Sequence, residues 1–272
     1  MTDSQPQATS RRVGGIVIVI VALLVLGVVV FTLTRGGGEG TPPASTEATT
    51  EPAAPTGSAG DRNPDAGTIE TDGVGRQVIV PANRGGDVLS TTPDDGGTCE
   101  SVRSPAGLQI QRINMYPVLF STDAGPTQVV NSTPVGYASG PRGAVLAGIN
   151  SYMLMSSGGT PGREMLINHM VIDEAKRESA RAELKEGFNT EPSYQQAALA
   201  FRVRSCTDKA VVVDYALPQM GDERAPFPEP KWRVVSILVV KDGGEWKMSL
   251  RGDTFQDRGL TENKDGFIEW DL

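Results

Sequence analysis

The strongest constraint in this 272-residue sequence is an uncharged, proline-free run near its start, Val13 to Thr34, reading VGGIVIVIVALLVLGVVVFTLT. At about 1.5 Å rise per residue, such a run makes a helix of about 33 Å, enough to cross a hydrocarbon core of roughly 30 Å. Its many β-branched residues do not count against a helix there, because an unpaired backbone in lipid costs more than any propensity. A cleaved signal peptide is the competing reading, and it needs a shorter apolar core and a small-x-small cleavage site. Here the run ends in Thr-Leu-Thr-Arg and no Cys follows it. The expectation is therefore a single transmembrane helix over 13–34, with the lipid bilayer as its partner.

Arg11 and Arg12 precede the run, and Arg35 alone follows it closely. The bias of Lys and Arg towards the cytoplasmic side then places 1–12 in the cytoplasm as a tail and everything after Arg35 outside. Residues 35–75 are rich in Gly, Pro, Thr, Ser and Ala, with Ile69 and Val74 as the only large aliphatic side chains. A segment of that kind buries too little surface to offset the entropy of ordering, and it reads as a disordered linker or stalk. Residues 76–272 then form the extracytoplasmic domain. The formal net charge of -8, with no Lys/Arg run longer than two, argues against a nucleic-acid partner.

Within the domain, Gln77–Pro81 and Leu108–Phe120 read as extended, and Asn83–Gly97 as loop. Ser139 can cap a helix that begins near Pro141 and runs to about Met155, ended by Gly158-Gly159. Gly158–Gly162 reads as a turn between helices. Arg163 to Glu186 reads as a second helix with a break near His169, its exposed face laced with charges such as Glu174, Arg177, Glu178 and Arg181. Ala197–Ser205 and Val211–Leu217 alternate as strands, Gln219–Pro230 reads as a Pro-rich loop, and Lys231–Lys241 and Glu245–Arg251 form a hairpin about Asp242-Gly243-Gly244. The fold class expected from this order is α+β, with helices on one face of a curved antiparallel sheet. Over about 130–252 that order is similar to the cone-like, nuclear-transport-factor-two-like fold.

Two motifs carry a closer resemblance. Gly125-Pro126-Thr127 followed by Pro134-Val135-Gly136-Tyr137-Ala138, and then Gly143-Ala144-Val145-Leu146-Ala147-Gly148-Ile149-Asn150, resemble a group of actinobacterial single-pass membrane proteins found in mobile-element and conjugation contexts. The resemblance implies an accessory role beside other envelope proteins rather than catalysis, with room for a homo-oligomer, and it brings no active site to carry over.

Candidate chemistry is sparse. Cys99 and Cys206 are the only cysteines, and an even pair in an oxidising compartment suggests one disulfide, the alternative being two unpaired thiols. His169 is the sole histidine. Asp173 stands one helical turn on, so the two could form a catalytic dyad in which the carboxylate orients the imidazole as a general base; the alternative is a histidine on a helix surface or at a helix break. One His and two distant Cys supply no recognised transition-metal spacing, and Asp94-Asp95 reads as solvated loop. No phosphate-binding glycine loop, nucleophile elbow or zinc-protease motif occurs, so neither cofactor nor metal is expected. Arg251-Gly252-Asp253 matches an adhesion tripeptide of the kind that recurs by chance. Trp270, near the C-terminus, reads as the tryptophan most open to a partner. The expected function is a membrane-anchored, non-enzymatic interaction module. The alternative is a small-molecule binder or isomerase/hydrolase using a cone cavity.

Overall fold

A computed structural model describes residues 63, 65–191, 193–221 and 225–272. These lie in the unit Pro55–Leu272. The run 13–34, the tail before it and most of the linker fall outside the described residues. Among the described residues, no helix is long and apolar enough to cross a membrane.

The first helix, α1 (Pro141–Ser157), organises the core. Its sequence is apolar or small on nearly every side, and 14 of its residues are buried, so it has no solvent face. A helix of that kind is stable only with packing partners all round. One partner is the four-stranded sheet β1 (Ile69–Thr71), β2 (Gln77–Ile79), β3 (Gln109–Ile113) and β4 (Tyr116–Phe120), in that order, with β2 and β3 parallel. The other is a larger antiparallel sheet made of β7 (Ala200–Cys206), β8 (Ala210–Gly221), β9 (Pro226–Asp242), β10 (Glu245–Met248), β11 (Phe255–Thr261) and β12 (Ile268–Glu269). Its order is β10-β9-β8-β7-β12, with β11 also beside β9. A small hairpin, β5 (Gln128–Val130) with β6 (Thr133–Val135), leads into α1. Helices α2 (Gly159–Asn168) and α3 (Glu174–Glu183) complete the described elements.

This corrects the α+β, cone-like expectation. The described residues are mostly β, with three short helices of 17, 10 and 10 residues. The central helix lies against β4 on one side and β8, β9 and β10 on the other, instead of capping one face of a single sheet. The strands that make the difference are three to five residues long, too short to show a period, and one of their pairings is parallel. Ile69–Thr71 also pairs with Gln77–Ile79, inside the stretch that read as linker.

Two contacts fix α1 between the sheets. On the β4 side Asn150 is fully buried, and its amide mimics a strand neighbour. The Leu119 backbone N–H donates to its Oδ1 at 2.9 Å, and its Nδ2 donates to the Leu119 carbonyl at 2.7 Å. On the other side the Tyr215 hydroxyl donates to the Val145 carbonyl at 2.7 Å. Gly148 permits this approach, since a Cβ there would lie 2.5 Å from the Tyr215 hydroxyl and 2.8 Å from Val239.

Burial pushes the Tyr215 phenol well above its usual ionisation range. The raised value belongs to the folded state, so the stability it contributes is fully present below the unfolded value near 10 and is lost as pH rises beyond it. Urea midpoints should therefore fall above pH 10, with a slope of up to about 1.4 kcal/mol per pH unit from this group. Tyr215→Phe should flatten that decline; an unchanged slope would remove Tyr215 as its cause.

Candidate functional site

Cys99 and Cys206 are joined by a disulfide, with Cα atoms 5.7 Å apart and 107 positions of sequence between them. It ties the 3-10 turn Cys99–Ser101 to the end of β7. The same loop is held from α1, where Arg142, 5% exposed, pairs with both Asp94 and Asp123. Asp94 is an exposed loop residue, as Asp94-Asp95 reads in the sequence, and it is also an ion-pair partner of that buried guanidinium. A buried arginine is retained only with such partners, because an unpaired charge there is prohibitive.

The structure does not bring His169 and Asp173 together. His169 stands at the C-terminal end of α2 with φ -118°, and α3 starts only after Asp173, so no continuous helix places them one turn apart. Instead His169 Nε2 lies 3.2 Å from Glu164 Oε1. Asp173 faces Lys176 at 3.6 Å and Arg251 at 3.7 Å. The cleft beside His169, walled by Tyr137, Met165 and Trp246, measures about 20 Å³. That is room for about one water.

The larger concavity lies on the face of the big sheet turned away from α1. Tyr215 reaches from β8 to α1, so its neighbour Asp214 projects to the opposite face. Asp214 stands opposite Arg202 on β7 and Ser236 on β9. β11 pairs along β9 and β12 along β7, so residues 262–267 must cross the width of the sheet as a strap. The strap sits over Arg202, which donates from Nη1 to the Asp265 carbonyl at 3.2 Å and stacks on Phe267 at 4.4 Å. Between sheet and strap is an open groove of about 380 Å³. That is within the size range of ligand pockets.

Its electrostatics are incomplete. Asp214 is only 3% exposed, and its Oδ2 accepts from Arg202 Nη2 at 2.9 Å and lies 3.9 Å from Arg204 Nε. Its other oxygen, Oδ1, and Arg202 Nε are both buried without a hydrogen-bond partner. A buried polar atom left so costs about 1–3 kcal/mol, and a native fold that keeps one calls for a reason. Arg258, on β11, adds an exposed third guanidinium to the groove. In a chain of net charge -8 this is a local positive site.

The groove is not foreseen from sequence, because the segment after Arg251 shows no strand long enough to alternate clearly. The signals available were the turn residues Asn263–Gly266 and the alternation Phe267-Ile268-Glu269-Trp270. Trp270 is likewise not open to a partner, contrary to its place near the C-terminus. Because β12 pairs with β7, Trp270 is 7% exposed and its ring lies 4.6 Å from that of Phe201. Arg251, Gly252 and Asp253 are exposed in a bend after β10. Among the described residues, no group of three or more His, Cys, Asp or Glu side chains could hold a metal.

Residues 77–269 match a family model described as a domain of unknown function, DUF8175. That description assigns no catalysis. No curated protein and no solved structure matches the chain.

Proposed function

The chain belongs to the DUF8175 family, and from that premise we propose that it is a membrane-tethered, extracytoplasmic interaction module without catalytic turnover, accessory to an envelope assembly of the secretion or conjugation type. The observation that carries this reading is the open, polar groove on the outer sheet face, set against a His169 cleft that holds about one water. Binding grooves open to solvent suit a partner that docks, whereas turnover of a small molecule calls for an enclosed, mostly apolar pocket. The outside location is supported by the uncharged run 13–34, by Arg11 and Arg12 ahead of it, and by the Cys99–Cys206 bridge, a linkage of oxidising compartments. A tether raises the effective concentration of the domain near the membrane, so even weak contacts hold an assembly together.

In-cell crosslinking of the full chain followed by mass spectrometry tests this. Envelope proteins should be recovered. Recovery of cytoplasmic proteins alone, or co-purification of a small metabolite that the chain converts, would overturn the reading.

A further inference from the structure

We infer that the groove beneath the 262–267 strap is a binding site for the carboxy terminus of a peptide chain, recognised through its free carboxylate and the backbone N–H and C=O of its penultimate residue. The inference rests on the reading of this domain as an interaction module and names the chemistry of what it takes hold of.

The two unpartnered atoms of the groove set the requirement. Arg202 Nε is a donor and Asp214 Oδ1 an acceptor, and both belong to one ion pair on adjacent strands. A group that satisfies both must offer an acceptor and a donor side by side. A residue of an extended peptide does so, because its own N–H and C=O point to the same side, with the carbonyl towards Arg202 and the N–H towards Asp214. An inorganic anion offers acceptors to the arginine but sets negative charge against Asp214. A cation would face Arg202, Arg204 and Arg258 together.

The charges around that pair set the second requirement. Three guanidiniums, Arg202, Arg204 and Arg258, stand against the carboxylates of Asp214 and Asp265. The surplus is one positive charge, which one carboxylate neutralises. Arg204 Nε lies 3.9 Å from Asp214 Oδ2 and Arg258 lines the same groove, so both are placed to hold the terminal carboxylate. Guanidinium forks match carboxylates in geometry as well as in charge. Val234 and Phe267 supply apolar surface for the terminal side chain.

The strap gives access. Gly259 at φ 82° lies in β11 shortly before it and Gly266 at φ 75° lies near its far end, both in backbone states that glycine adopts without strain. A Cβ at Gly259 would meet nothing within 4 Å, so the chain there has space to turn. Lifting the strap at these two points would open the buried pair to a ligand, as hinge residues at the ends of an element do elsewhere.

The test is calorimetric titration of the purified full chain in nanodiscs with N-acetyl-alanyl-alanine, its C-terminal amide, acetate and inorganic phosphate. The free acid should bind saturably, and the amide, acetate and phosphate should each bind about tenfold more weakly or worse, since each lacks one of the two recognised features. Arg258→Gln changes an exposed residue, should leave the thermal midpoint in place and should weaken the free acid about tenfold. Asp214→Asn should abolish the preference for the peptide over acetate, and Arg258→Gln keeps the test decisive if that buried variant does not fold. Equal binding of acid and amide, phosphate binding as tight as the peptide, no saturable binding, or an unaffected Arg258→Gln would each overturn the inference. Purified protein and synthetic peptide make its failure independent of what the crosslinking recovers in cells.

Discussion

Asn150→Ala should destabilise the domain by roughly 3–6 kcal/mol, because it strips hydrogen bonds from two buried backbone groups and leaves a cavity. The N–H and the carbonyl of Leu119 both depend on the Asn150 amide, and Nδ2 also lies 3.1 Å from the Tyr137 hydroxyl. Such a loss is a large share of the about 5–15 kcal/mol that holds a domain folded. It should appear as a lowered urea midpoint of the full chain, followed by the fluorescence of buried Trp246 and Trp270. Asn150→Asp separates hydrogen bonding from shape. A buried carboxylate there has its ionisation raised by desolvation and offers no donor to the Leu119 carbonyl. Its penalty should be full at neutral pH and should shrink as pH falls and the carboxyl takes up a proton. A midpoint within experimental error of wild type for Asn150→Ala would show that β4 and α1 are held together by other contacts.

Reducing the Cys99–Cys206 bridge, or replacing both residues with alanine, should cost roughly 3–5 kcal/mol. The basis is the 107-residue separation, since the entropy that a crosslink removes from the unfolded chain grows with the loop it closes. The loss should have a local signature too. Cys99 and the Arg142–Asp94 pair fasten the same loop, so reduction should expose residues 88–104 to proteolysis before the large sheet opens. Cleavage that begins elsewhere, or an unchanged midpoint under reductant, would contradict this role.

Much of the large sheet was legible because its strands are long and alternate. Trp246 and Met248 are buried with Glu245 exposed, as the pattern of β10 demands, and the turn at Asp242-Gly243-Gly244 falls where its residues place it. The break near His169 was visible too, and it undid the dyad drawn across it, since His169 and Asp173 share no helix. Gln219–Pro230 read as loop because proline cannot donate to a ladder. The strands nonetheless run through it, with Gly221 opposite Pro226 and a register shift after Gln219, so the prolines lie where the ladder is already irregular. Helix α1 was legible from Pro141 onward, but its cap was not. Gly140 occupies that position with no side-chain bond, and the Ser139 hydroxyl donates to the Asp95 carbonyl instead.

The groove was the least legible feature, for a physical reason. Arg202, Asp214 and Arg258 come from three strands, and only the strap crossing the sheet turns their shared face into a concavity. Asn150 was hidden in the same way. A lone amide in an apolar helix has no local signature, and its role exists only once β4 is laid beside it. Sequence periodicity reports which face of an element is buried, and it is silent on which buried polar atoms find each other.

We propose that this disulfide-bridged domain works outside the cytoplasm, held at the membrane by the apolar run ahead of it. Fusing a reporter enzyme that folds only in an oxidising compartment after Leu272 tests it most directly. The reporter should be active in intact cells, and a reporter restricted to the cytoplasm, fused at the same point, should be silent. The reverse pattern would contradict the account.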